Sequence, residues 1–126
     1  MRPFVSLLAT LTLGVVAISL ETGQGAAESA QKLSGSQIRA KFAGMQVTDE
    51  VHWRFVYDRD GTLRSYSMGT KKVGKWAVEK GELCLYLGES DDGCYEVSLS
   101  DKRVKMKPSG LGATLEGFLQ TAADPN

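Results

Sequence analysis

Apolar and polar positions alternate most regularly over residues 74–100, GKWAVEKGELCLYLGESDDGCYEVSLS, and the alternation predicts three consecutive antiparallel strands. A two-residue turn at Lys80 and Gly81 sets Val78 against Leu83, Ala77 against Cys84 and Trp76 against Leu85. Successive side chains on a strand point to opposite faces, so Trp76, Val78, Leu83, Leu85 and Leu87 share a core face, while Lys75, Ala77, Cys84 and Tyr86 share the other. Closing residues 88–93 so that Cys84 meets Cys94 brings Tyr95, Val97 and Leu99 onto the same core face. Hydrophobic pattern and cysteine pairing therefore select one register. The expectation is a Cys84–Cys94 disulfide that staples neighbouring strands on the outer, wetter face of the sheet and contributes about 2 to 3 kcal/mol. Nine residues separate the two cysteines, which is not the C-x-x-C spacing of a redox pair.

The helical period occurs once with clear end signals, over residues 33–44. Ser34 and Gln37 have capping-box spacing, Leu33 can staple onto Ile38, Ile38 and Phe42 lie four apart on one face, and Gly44 is placed to end the helix. The remainder reads as strands from Met45 onward. Residues 51–57 put Trp53, Phe55 and Tyr57 on one face and His52, Arg54 and Val56 on the other. Residues 58–61 form a turn into a strand over 62–68, where Leu63 competes with Tyr66 and Met68 for the core; a bulge near Gly61 or Gly69 would reconcile them. Residues 69–72 read as a turn. Over 103–107, Val104 and Met106 point in and Arg103, Lys105 and Lys107 point out, and residues 114–120 form a last strand with Leu115 and Leu119 buried. About eight short strands joined by tight turns predict a mainly β protein, a small antiparallel up-and-down β-barrel with one short N-terminal helix closing or half-closing it.

Composition adds a destination. Residues 1–27 have the anatomy of a signal peptide, with Arg2 ahead of an apolar run over 4–20 and Gly25-x-Ala27 as a small-x-small cleavage site; an uncleaved membrane anchor is the alternative. Cleavage places the protein in the periplasm or outside the cell, where a disulfide persists, and leaves no stable membrane insertion. The expected order is then a mobile lead-in over 28–32, one barrel domain over 33–121 and a disordered tail over 122–126. The chain carries 15 Lys plus Arg against 15 Asp plus Glu, a balance that argues against nucleic acid as partner.

The chemistry-bearing residues are sparse. His52 is the only histidine and both cysteines are assigned to the disulfide, so neither a nucleophile–base pair nor a zinc site is indicated, and no metal or cofactor is expected. Glu89, Asp91 and Asp92 lack the order of an EF-hand loop and read as a solvated hairpin tip. Two binding surfaces remain as candidates. Trp53, Phe55 and Tyr57 form an aromatic row that can be a ligand wall or simply core. Arg103, Lys105 and Lys107, with Lys75 as a neighbour if the fold allows, form a basic outer strip that can meet an acidic partner or serve as an ordinary solvated strand face.

The order LSGSQIR, YDRDGTLRSY, VGKWAVEKGELCLYL and GCYEV resembles small exported proteins of alphaproteobacteria grouped under uncharacterised domain families. The resemblance spans residues 33–97, rests on turns, Trp76 and the cysteines, and carries over no catalytic residue. The chain is also similar, more weakly, to periplasmic inhibitors of secreted metalloproteases, eight-stranded barrels with one disulfide that insert an extended N-terminal segment into the protease cleft. Here that segment would be residues 28–32, followed almost at once by the capped helix. The functional expectation is a noncatalytic binding or interaction module for a small molecule or an envelope protein, with protease inhibition as the second reading.

Overall fold

The computed structural model describes residues 14, 30–88 and 92–122; apart from Gly14 the expected signal peptide lies outside those residues, as does the expected tail after Ala122. A short strand β1 (Gln31–Lys32) leads into the helix α1 (Gly35–Phe42). Eight strands follow: β2 (Met45–Thr48), β3 (Trp53–Tyr57), β4 (Thr62–Ser67), β5 (Thr70–Glu79), β6 (Glu82–Tyr86), β7 (Gly93–Ser100), β8 (Arg103–Pro108) and β9 (Leu115–Thr121). Each of the eight pairs antiparallel with the next, and β9 returns to β2, so the meander closes into a barrel with no free edge.

The register at the centre is the expected one. Val78 faces Leu83, Cys84 faces Cys94 and Leu83 faces Tyr95. Lys80 and Gly81 both take positive φ, 53° and 77°, which matches the right-handed twist of the strands they join. The disulfide forms between Cys84 and Cys94 with Cα atoms 4.0 Å apart. Its surroundings differ from the wet face expected, because Cys84 is fully buried. Tyr86 lies two residues beyond Cys84 on β6 and Glu79 sits on the facing strand beyond Ala77, and the Tyr86 hydroxyl donates to the Glu79 carboxylate. That hydrogen bond spans the cysteine from outside.

Strand β5 is where the closure is made. Its first half pairs with β4 and its second half with β6, and the two ladders overlap at Lys75. Gly74 sits at this crossing; a Cβ there would lie 1.9 Å from the Tyr86 carbonyl oxygen, so only glycine lets the backbones approach this closely. The expected turn over 69–72 is a correction. The reversal is confined to Met68 and Gly69, at φ 50° and 83°, and Thr70 and Lys72 already belong to the strand. Nor does a bulge interrupt β4, whose six residues pair without a break with β5. Its inward row is Leu63, Ser65 and Ser67, and Tyr66 points out.

The N-terminal lead-in is also corrected in its last two residues. Gln31 and Lys32 pair with Leu99 and Ser98 of β7, and the Leu33 amide donates to the Val97 carbonyl at 2.8 Å. They continue along the edge of β7 that β6 occupies over residues 93–95, so the segment is part of the sheet. The helix then crosses one end of the barrel. Its capping box is formed in both directions, by Gln37 N–H to Ser34 Oγ and Ser34 N–H to Gln37 Oε1. Ile38 and Phe42 are fully buried, and Phe42 meets the edge of Tyr57, which in turn meets Trp76, with ring centroids 5.2 and 5.6 Å apart. Trp76 Nε1 donates to the Asp58 carbonyl at 2.8 Å and ties this core to the β3–β4 turn.

The packed end and the open end should respond differently to truncation. Phe42→Ala should cost about 3 to 5 kcal/mol in urea unfolding, whereas Leu87→Ala, half-buried at the far end, should cost less than the roughly 2 kcal/mol minimum for a fully buried leucine. Equal losses would mean that both ends are packed alike.

Candidate functional site

The inward rows of the barrel change character from one end to the other. Across β3, β4 and β5, the row nearest the helix is Tyr57, Leu63 and Gly74; the next is Phe55, Ser65 and Lys72; the last is Trp53, Ser67 and Thr70. The first row is core, with Tyr57 and Leu63 fully buried. The other two contain three hydroxyls and an amine where a packed barrel would have apolar side chains. An eight-stranded barrel is just wide enough to be filled by its side chains or to hold one small ligand, and short polar residues leave it unfilled. The result is a cavity of about 450 Å³ that opens at the end opposite the helix. Its size falls within the range of small-molecule sites.

The lining is two-sided. Ser65, Ser67, Thr70 and Lys72 form a polar wall on β4 and β5. Phe55, Leu85, Tyr95 and Leu115 of β3, β6, β7 and β9, with Leu87 just after β6, form an apolar wall. Among the described lining residues, Lys72 is the one charged side chain. Of the aromatic row expected as a ligand wall, only Phe55 lines the cavity. Tyr57 is buried under the helix, its hydroxyl directed at Met106 Sδ 3.9 Å away, and burial with the nearby Tyr95 raises its pKa. Trp53 stacks at a tilt on Phe55, centroids 5.2 Å apart, and its ring fills the space left by Gly117, where a Cβ would come within 2.9 Å of it.

The loop between β2 and β3 holds the open end in shape. Asp49 Oδ1 accepts the backbone N–H of Val51, His52 and Trp53 at 3.0, 2.7 and 3.0 Å, and Oδ2 lies 2.9 Å from His52 Nδ1. Burial alone would raise the Asp49 pKa, but these four hydrogen bonds outweigh it and hold the carboxyl well below the usual carboxylate range. Thr48 Oγ1 adds a bond to the Trp53 carbonyl and receives the Glu50 amide. The rim itself is apolar: Val51 in this loop, Met68 at the β4–β5 turn and Leu111 between β8 and β9 are all strongly exposed. Between β6 and β7, Asp92 Oδ1 is turned onto the amides of Leu87 and Gly88, each at 2.7 Å.

Arg103, Lys105 and Lys107 do project from the outer face of β8. The strip is broken up by its neighbours: Lys105 pairs with Glu116 at 3.7 Å, Arg103 lies over the Phe118 ring at 5.8 Å, and Lys107 faces Glu96, which also pairs with Lys32 at 3.6 Å. Such exposed pairs each contribute under about 1 kcal/mol but cancel the local field. Lys75 is not a neighbour, since β6 and β7 separate its strand from β8. A second cationic group, not anticipated, lies outside β3–β5. Arg54 and Lys71 approach the Tyr66 ring at 4.2 and 5.7 Å, and Arg64 is held by Asp58 through two bonds of 2.9 and 3.0 Å.

The polar wall was missed by the sequence reading because Thr70 and Lys72 look like turn residues and Ser65 and Ser67 look like a failed core face. The signal was the conflict over which face of residues 62–68 points inward. Compared with family models, with curated proteins and with solved structures, the chain matches none.

The Asp49 cap predicts an acid-dependent contribution. A carboxyl whose pKa is lowered by folding stabilises fully above its unfolded pKa of about 4 and loses that effect as pH falls toward the folded value. The difference in urea midpoint between the natural protein and Asp49→Asn should be largest near pH 7 and shrink steadily below about pH 4. A difference that stays constant down to pH 2.5 would mean that the carboxylate's charge is not what the loop depends on.

Proposed function

We propose that the protein is a noncatalytic binding module, exported to the periplasm or beyond, which takes a small, largely apolar ligand into the open end of its barrel. The observation that carries this reading is the division of one closed barrel into a filled end and an unfilled end of about 450 Å³ with an apolar wall. A fold that needed only stability would place an apolar side chain at the buried Ser65, where each buried methylene contributes about 0.8 kcal/mol. The disulfide supports an oxidising compartment. The inhibitor reading gains less support, because Gln31 and Lys32, the last two of the residues 28–32 expected to reach a protease cleft, are engaged in pairing with β7. The β8 strip, with its cations interleaved with Glu96 and Glu116, offers no concentrated charge for an acidic envelope partner.

The test uses a neutral apolar fluorophore, 1-aminoanthracene, with the mature chain. Its emission should rise and shift to the blue on binding with a dissociation constant in the micromolar range, roughly 8 kcal/mol of binding free energy. Ser67→Phe, which fills the mouth from an exposed rim position, should weaken binding at least about tenfold while the thermal midpoint is kept. No emission change with the natural protein, or full binding by the filled variant, would remove the barrel interior as the site.

A further inference from the structure

The outer surface of β3, β4 and β5 is layered from the mouth downward. Nearest the mouth, Val51 in the β2–β3 loop and Met68 at the β4–β5 turn are strongly exposed. The two loops are tied together, because the Met68 amide donates to the His52 carbonyl at 3.0 Å. Below them comes the outward row of Arg54, Tyr66 and Lys71, in which Tyr66 is the register partner of both cations. Arg54 lies 4.2 Å and Lys71 5.7 Å from the centre of the Tyr66 ring, so the ring gathers both charges. The next rows set Arg64 beside Val73 and then Thr62 beside Lys75. Arg64 is held by Asp58 from the β3–β4 turn. The outward positions of β3, β4 and the first half of β5 themselves carry four cations and no acid. On β8 and its neighbours, by contrast, Lys107 faces Glu96 and Lys105 faces Glu116. The two acids of the β2–β3 loop are turned elsewhere, Asp49 onto amides of its own loop and Glu50 onto Gln120 Nε2.

Apolar tips, then a tyrosine between cations, then a further lysine is the order that suits the boundary of a bilayer, where aromatic rings sit at headgroup level and cations meet phosphates. A strand advances about 3.3 Å per residue, so Lys71 stands about 10 Å behind Met68. That distance is comparable to the roughly 5 to 10 Å that interfacial segments bury. From this layering we infer that the β4–β5 hairpin docks the open end of the barrel on an anionic phospholipid surface, with Met68 and Val51 entering the interface and Arg54, Lys71 and Lys75 meeting lipid phosphates. The docking is peripheral, goes beyond ligand binding and does not depend on the barrel holding a guest. A purely acidic polypeptide would satisfy the cations alone and give Met68 and Val51 nothing apolar to enter.

The experiment measures partitioning of the full chain onto phosphatidylcholine vesicles and onto vesicles of phosphatidylcholine mixed with phosphatidylglycerol, at about 0.1 M salt. Each cation near an anionic surface strengthens binding about fivefold, so three should give the mixed vesicles a preference of about a hundredfold. A contribution from the apolar run over residues 4–20 is common to both vesicles and cancels in the ratio. Lys71→Gln combined with Lys75→Gln, both at exposed positions, should cut the preference about 25-fold, and the corresponding pair of Arg substitutions should keep it. Met68→Ser should weaken binding to the mixed vesicles roughly fivefold. Changing Arg103, Lys105 and Lys107 of β8 together to Gln should alter the preference far less, and circular dichroism should show every variant folded. Equal binding to the two vesicles, a preference that survives the loss of Lys71 and Lys75, or one that falls as far with the β8 change would overturn the inference. A preference indifferent to Met68→Ser and matched by binding to poly-L-glutamate would assign the face to an acidic polypeptide and overturn it as well.

Discussion

The edge-on stack of Phe42, Tyr57 and Trp76 is the contact on which the rest of the molecule depends. It joins the only helix among the described residues to two strands that are not adjacent in the barrel, and it fills the space that eight strands enclose at that end. Ring pairs in this orientation contribute about 0.5 to 1.5 kcal/mol beyond the area they bury, and the burial itself is larger. The capping box at Ser34 and the pairing of Gln31–Lys32 with β7 fix where the helix enters; the Gly44 amide, bonded to the Tyr57 carbonyl at 2.7 Å, fixes where it leaves. With one end so secured, the other end need not be packed for the barrel to stand.

That division of labour explains features that would otherwise look like defects. Serines at 65 and 67 and a lysine at 72 occupy inward positions, which in a filled barrel would leave polar groups without water. Here they border a cavity open to solvent. The mouth keeps its shape through local bonds: Asp49 gathers three backbone amides, and Asp92 gathers two. On the outer face the disulfide ties β6 to β7 beneath the Tyr86–Glu79 hydrogen bond. Rigid walls around an unfilled interior are what a preorganised small-molecule site requires, since little order must be imposed on binding.

The sequence was most legible where packing is conventional. Strict alternation through Trp76, Val78, Leu83 and Leu85, together with the two cysteines, was enough to set the central register, and the Ser34–Gln37 spacing located the helix start. It misled at residues 62–72. Strand assignment assumes that the inward row is apolar, and a strand that lines a cavity breaks that assumption on its functional face. Met68 compounded the error, because turns with two positive φ angles favour Asn, Asp or Gly at that position. The burial of Cys84 was hidden for a different reason, since a Tyr–Glu bond over an outer face depends on side-chain reach and not on period. The aromatic row at 53, 55 and 57 was correct as a face, yet its three members have three different roles, at the rim, on the cavity wall and in the core.

The most direct measurement of the central claim is a backbone amide chemical-shift map of the isotope-labelled protein titrated with 1-aminoanthracene. The account expects the perturbed amides to concentrate in residues 65–72 on β4 and β5 and around Leu85, Leu87 and Tyr95, with the amides of α1 and the outer strip of β8 unchanged. Perturbations centred on Arg103, Lys105 and Lys107, or on Gln31 and Lys32, with the cavity residues silent, would contradict it and move the site to the outer surface.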